Sequence, residues 1–241
     1  MLYIKNIKIL SGKGALASLP DRKLLINTIN AHSYNTAQED KLFAEALEKG
    51  DVLIPDGMSI VKAFKWKHWM NGPKERVAGA DLFNFEMKKL NEKGGTCCFL
   101  GSSENVLALI KERAAIDYPN IKIVTYSPPY KPEFTEEENR LMVEAVNSAN
   151  PDLLWIGMTA PKQEKWTYTH WQELDIHCHV GTIGAVFDFF AGTAKRAPLW
   201  WQCHSLEWLY RLIKEPRRMW RRYLVGNVLF LWYIAGEKFG I

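Results

Sequence analysis

The chain has 241 residues, 47% of them apolar and 24% charged, which is enough to bury a core without disulfides or metal and too apolar for a disordered protein. Its net charge of +4 is small but uneven: residues 196–241 carry eight Lys/Arg against three Asp/Glu, and five of the ten tryptophans, on a near-neutral body. Four cysteines without a C-x-x-C pair fit a reducing compartment, and MLYIKNIKIL lacks the basic start, long apolar stretch and small-residue cleavage site of a secretory leader.

In chain order, short apolar runs predict strands at LLINTI (24–29), DVLIP (51–55), TCCFLG (96–101), IKIVTY (121–126), LLWIGM (153–158) and IHCHVG (176–181). Helical patterns fall between several of them, at 36–48, 103–117, 136–149 and 160–173. Ser103 is a helix start, and Thr135 with Glu138 three residues on is a capping box. Val/Ile/Leu-rich strands alternating with helices predict an α/β fold, a Rossmann-like, mostly parallel sheet with helices on both faces. The proline-rich YSPPYKPEF (126–134) is a loop inside this body, because the alternation resumes after it. The chain divides into a Rossmann-like body, 1–195, and a basic, aromatic, helical C-terminal appendage, 196–241. Within the appendage Pro216 ends the helix carrying LEWLYRLIK, and a second helix begins near Arg217. The apolar run 223–235 has thirteen residues, too few to span a bilayer, which takes roughly twenty.

Ligands of such sheets bind beyond the carboxyl ends of the strands. Asp56 falls there, after DVLIP, as either a helix cap or a carboxylate aimed into the cleft. Thr28 and Asn30 close the first strand, as turn formers or as polar contacts. Pro161, Gln163 and Glu164 open a helix whose amide and free N–H groups suit a sugar hydroxyl or a phosphate. Gly181 and Gly184 permit either close approach of a ligand or tight strand–helix packing. There is no Walker A loop, no D-x-D, no G-x-S-x-G, and no metal ligand set completes HCH (177–179). GKGALA (12–17) superficially matches a dinucleotide fingerprint, but Pro20 interrupts the helix it would need.

Six stretches occur in one order: NTINAHS, IPDGMSIV, RVAGADLF, IGMTAPKQEKW, VGTIGAVFDFFAGTAKRAP and LEWLYRLIKEPRRMWRRYL. Together, over about residues 20–224, they resemble the WecG/TagA/CpsF family of bacterial glycosyltransferases. The chain departs from that pattern in having Thr159 where many members have glycine. The resemblance implies a metal-independent, cofactor-free, inverting transfer of a hexose such as N-acetylmannosamine. The donor is a UDP-sugar and the acceptor a sugar on undecaprenyl diphosphate, in surface polysaccharide synthesis on the cytoplasmic face of the membrane. It places the catalytic base at Asp56 and further active-site residues at Thr28, Asn30, Arg76 and Gln163. Appendage arginines fall at Arg211, Arg218 and Arg221.

One carboxylate suffices as base for such a transfer, and guanidinium groups can neutralise a leaving diphosphate. Arg217 and Arg222, with Trp220, Leu224 and Phe230, suit an anionic lipid surface. The near-neutral body offers no groove for nucleic acid, and a homo-oligomer is compatible with the sequence. Two other classes compete: a non-catalytic peripheral membrane scaffold of the same fold, and an NAD-dependent sugar-modifying enzyme.

Overall fold

The computed structural model describes residues 2–4, 7–68 and 72–239. Six strands form one sheet: β1 (Leu24–Ile29), β2 (Val52–Pro55), β3 (Gly95–Gly101), β4 (Ile121–Tyr126), β5 (Leu153–Gly157) and β6 (His179–Thr182). Their order is β2-β1-β6-β5-β3-β4, and every pairing is parallel. The sheet is thus wholly parallel, and β6 is later and shorter than the apolar run at 176–181 suggests.

Alternation along the strands decides which helix lies on which face. Leu24, Ile26, Cys97, Phe99, Leu153 and Trp155 point to one side. There they meet α4 (Gly79–Lys93), α5 (Glu104–Asp117) and α8 (Gly184–Ala191). Their neighbours Leu25, Cys98, Leu100, Leu154 and Ile156 point to the other side, toward α6 (Glu136–Ala149) and α7 (Lys162–Thr169). Beyond them a third cluster joins Ile29 and Leu53 to α1 (Ala31–Glu39), α2 (Lys41–Glu48) and α3 (Met58–Lys67). Helices α3, α4 and α8 are additional to those read from periodicity. The stretch read as one helix at 36–48 is two, because the Asp40 side chain accepts a bond from Phe43 N at 3.0 Å and starts α2 afresh. Thr135 forms the expected capping box with Glu138.

The C-terminal segment folds as α9 (Leu199–Cys203), α10 (Glu207–Lys214), α11 (Pro216–Trp220), a π-helical turn (Arg221–Val225) and α12 (Gly226–Phe239). Pro216 occupies the first turn of α11. Helix α12 lies against α1 and inserts Phe230 and Ile234 into the cluster that holds Leu2, Ile4 and Tyr34. Phe230 therefore does not sit at an external apolar boundary as the sequence suggested: it is 3% exposed and packs edge-on to Tyr34. The outward side of the segment carries Trp220, Leu224, Val225, Val228 and Trp232 instead. Among the described residues no helix is long and apolar enough to cross a membrane.

Candidate active site

Registers of the central strands bring four turns to one edge of the sheet. Ile29 lies beside Pro55, and Ile156 beside Thr182. The loops after β1, β2, β5 and β6 therefore open together into a cleft of about 2170 Å³, with α10 and the π turn on its far wall. A buried rung holds two of these strands in place: Thr182 Oγ1 donates to Asn27 Oδ1 (2.9 Å), and Asn27 Nδ2 donates to Ala46 O (2.9 Å).

Asp56 stands at the cleft floor. It does not cap α3, whose N-cap is Gly57 with no side-chain bond. Its Oδ1 accepts from Arg76 at 3.1 Å and its backbone carbonyl from Arg76 Nε at 3.0 Å. The side chain keeps 28% of its surface open to the cleft. Burial raises its pKa above the usual carboxylate value; the Arg76 charge opposes this and the Glu207 charge adds to it. A carboxylate so placed is a stronger base than a free aspartate and has one oxygen available for an incoming hydroxyl.

The other arm of Arg76 donates to Glu207 Oε2 at 2.9 Å, and Glu207 Oε1 lies 3.5 Å from Arg196 Nε. Arg76 is thus the link between Asp56 and α10 rather than a free ligand. Glu207 and Arg196 are functional candidates that sequence reasoning missed. Both lie inside quoted motifs, LEWLYR and AKRAP, but the pairing of Glu207 with Arg76, 131 positions earlier, has no local signature.

The loop after β5 ends with a cis Ala160–Pro161 bond, and Pro161 is the N-cap of α7. Gln163 is held at both ends of its amide: Oε1 accepts from Gly184 N (3.2 Å) and Nε2 donates to Glu164 Oε1 (2.9 Å). Glu164 is 1% exposed with Oε2 unpartnered, and burial pushes its pKa up to about 7 against the pull of Gln163. Gly184 serves this arrangement, since a Cβ there would lie 2.4 Å from Met158 O. Gly181 does not reach the cleft: it is inside β6, and its Cβ position is filled by Trp155 at 2.3 Å.

Thr28 and Asn30 both line the cleft. Asn30 also caps α1, its Oδ1 accepting from His32 N and Ser33 N at 3.0 and 3.1 Å. Of the appendage arginines, Arg211, Arg218 and Arg222 line the cleft, whereas Arg221 is exposed, stacks over Trp220 and lines only a shallow neighbouring groove. The structure thus gathers Thr28, Asn30, Asp56, Arg76, Pro161, Gln163, Glu164, Gly184, Arg211 and Arg218, and leaves out Gly181 and Arg221. Among the described residues no three His, Cys, Asp or Glu side chains group as metal ligands, and His179 pairs with Glu86 at 3.0 Å. The glycines of GKGALA precede β1, Gly12 capping a 3-10 turn and Gly14 lying inside it, so the strand–glycine–helix order of a dinucleotide site is not formed.

The parallel sheet opens at its carboxyl edge into a cleft lined by Asp56 and by Arg76, Arg211 and Arg218, and the family model that matches the chain is one of glycosyltransferases. The chain belongs to the glycosyl transferase WecG/TagA/CpsF family, whose profile matches residues 6–241. It is 31% identical over 220 residues to the N-acetylglucosaminyldiphosphoundecaprenol N-acetyl-beta-D-mannosaminyltransferase of Bacillus subtilis (strain 168), covering 90% of this chain and 82% of that one. It is also 31% identical over 200 residues to the enzyme of the same name from Bacillus spizizenii (strain ATCC 23059 / NRRL B-14472 / W23), covering 83% of this chain and 74% of the relative.

Proposed function

We propose that this enzyme transfers an N-acetylmannosamine-type hexose from a UDP-sugar to N-acetylglucosamine carried on undecaprenyl diphosphate, with inversion at the transferred carbon. The observation that carries this reading is Asp56, ion-paired on one oxygen and open on the other, at the floor of a cleft of about 2170 Å³. A pocket for one drug-sized ligand measures roughly 300–1,000 Å³, so this cleft has room for donor and acceptor together. The names borne by the two Bacillus relatives support the sugar and the acceptor.

In the mechanism, Asp56 takes the proton of the acceptor hydroxyl as its oxygen attacks the sugar carbon from the side opposite UDP. The C–O bond to the diphosphate breaks as the new bond forms, and the departing charge is met by appendage arginines. Arg76 fixes the orientation of Asp56. Gln163, itself held by Gly184 and Glu164, offers its remaining amide hydrogen to a sugar oxygen. The outward apolar side of the appendage, with the exposed Arg217 and Arg221, seats the enzyme on the inner face of the membrane where a lipid-borne acceptor resides. The test mixes UDP-N-acetylmannosamine with a short-chain polyprenyl-diphosphate N-acetylglucosamine and reads UDP release and the acceptor mass. A gain of one N-acetylhexosamine is expected. Failure to release UDP from this donor or any other UDP-hexose would sink the reading.

A further inference from the structure

Helices α3 and α12 are both walls of the cleft floored by Asp56, and each presents one stripe of side chains to it. On α3 the stripe is Ser59, Lys62, Ala63 and Trp66. On α12 it is Asn227, Phe230, Leu231 and Ile234. Both follow the spacing i, i+3, i+4, i+7, which is one face of a helix. Phe43 of α2 lines the same space and, with Ala63, Phe230 and Ile234, is a buried member of the third apolar cluster.

The two stripes are graded in the same sense. On α3, Ser59 follows Asp56 by three residues, and Trp66 stands two turns further on, about 10 Å along the helix. On α12, Asn227 comes directly after the π turn that brings Arg222 to the cleft, and the three apolar residues follow it. Each wall thus runs from a polar end beside the reacting groups to an apolar end away from them. Lys62 is the charged member of the α3 stripe; it is exposed, so its apolar stem lines the cleft while its ammonium reaches water. Trp66 and Leu231 line the cleft and are nevertheless 58% and 56% exposed. Lys67 Nζ lies 4.2 Å from the centre of the Trp66 ring and helps to hold it in place. Large apolar side chains left wet inside a binding cleft favour a ligand that is itself apolar where it meets them.

We infer that the α3 and α12 stripes form an apolar furrow that holds the first prenyl units of the lipid acceptor, with Trp66 and Leu231 closing on the chain. This rests on the transferase reading above, in which the acceptor has a sugar, then a diphosphate, then a hydrocarbon tail. With the sugar hydroxyl at Asp56, the tail has to leave the cleft along one of its walls, and these two walls change from polar to apolar in the order the acceptor does. A chain in the furrow takes Trp66 and Leu231 out of water together with itself. The furrow therefore makes the enzyme read the lipid as well as the sugar, and favours a lipid-borne acceptor over the same sugar diphosphate without a chain.

The experiment measures equilibrium affinities of two soluble compounds that share an N-acetylglucosamine diphosphate head, one esterified with geraniol and the other with methanol. Wild type is expected to bind the geranyl compound roughly tenfold tighter, because apolar surface leaves water. Trp66→Ala with Leu231→Ala should remove most of that preference and change the affinity of the methyl compound by less than about twofold. Thermal unfolding checks the fold of each variant, and Leu231→Ala alone, expected to lose part of the preference, decides the matter if the double variant is unstable. Ile116→Ala removes an exposed apolar side chain from α5, away from the cleft, and should keep the preference in full. A geranyl compound carrying a diazirine at its far end should label α3 and α12, and excess dioctanoyl phosphatidylglycerol should not chase the label. A chased label gives the furrow to bilayer lipid and overturns the assignment to the acceptor. A wild type without the preference, or a folded double variant that keeps it or loses both affinities equally, overturns the inference alone. Wild type that binds neither compound removes the transferase reading as well.

Discussion

Replacing Asp56 with asparagine keeps an acceptor for Arg76 in the same place and removes only the ability to take a proton. The expected result is a fall in turnover of roughly a hundredfold or more, the usual scale for a general base, with UDP affinity little changed. Turnover near that of the wild type would leave Asp56 as an anchor for Arg76. Glu164 offers a second, independent reading at this scale. Its folded pKa, about 7, lies above the ordinary glutamate value of 4.5, so the native state holds its proton more tightly than the unfolded chain. Stability from this group is complete below pH 4.5 and declines as pH rises toward 7. Glu164→Gln keeps the oxygen that Gln163 donates to, and its unfolding free energy should lack that decline when compared with wild type by denaturant titration at pH 5 and pH 8. Parallel curves for the two proteins would show that Glu164 is ionised throughout.

Much of the site was legible at the residue scale because strand ends announce themselves. DVLIP runs into Asp-Gly and LLINTI into Asn, and both landed on the cleft edge. Glycines were read less well, since Gly181 and Gly184 have identical local chemistry. Which of them meets a ring of Trp155 and which meets the Gln163 loop is fixed by the sheet's neighbours, not by the sequence around them. The arginines misled for a related reason: adjacent Arg221 and Arg222 differ only in helical phase, and the π turn that sets the phase leaves no mark in RRYLV.

At the scale of elements, α12 is two-sided. Phe230 and Ile234 lie in the core, with 3% and 0% exposure, while Val228 and Trp232 face outward at 69% and 68%. Periodicity in VGNVLFLWYI does not separate these sides, because nearly every position is apolar. Mutations should separate them. Phe230→Ala opens a cavity against Tyr34 and should destabilise the protein by about 3–5 kcal/mol, visible as a lowered denaturant midpoint. Trp232→Ala with Val228→Ala should leave the midpoint nearly unchanged and weaken binding to vesicles containing anionic lipid. Undiminished vesicle binding by that double variant would move the membrane contact to α9 and α10, where Leu199, Trp200 and Ile213 are also exposed. The strands were the most readable elements, since a wholly parallel sheet buries both faces and gives continuous Val/Ile/Leu runs. Helices α3, α4 and α8 went unread because their apolar faces are broken by the lysines, asparagines and glycines of MSIVKAFKWK, GADLFNFEMKKLNEK and GAVFDFFA.

Over the whole molecule, the appendage and the body share both a core and a charge network. Glu237 on α12 accepts the hydroxyl of Tyr34 and the backbone N–H of Ile4, the latter at 2.8 Å, and Arg76 joins Asp56 to Glu207. Removing everything after Lys195 should therefore do more than abolish transfer: it uncovers Leu2, Ile4 and Tyr34, and the truncated chain should bind a hydrophobic dye and resist concentration. A soluble, cooperatively unfolding fragment would show that the body stands alone. The Glu237 bridge also sets an order of events during synthesis. Ile4 is made 233 residues before the carboxylate that receives it, a wait of about 12–47 s at roughly 5–20 residues per second. Until α12 has left the ribosome, the Ile4 N–H and the Tyr34 hydroxyl lack that carboxylate, and Asp56 gains Glu207 behind its arginine only once α10 has emerged. The contacts that close the cleft therefore form late, and transfer is expected only once α10 and α12 have docked on the body.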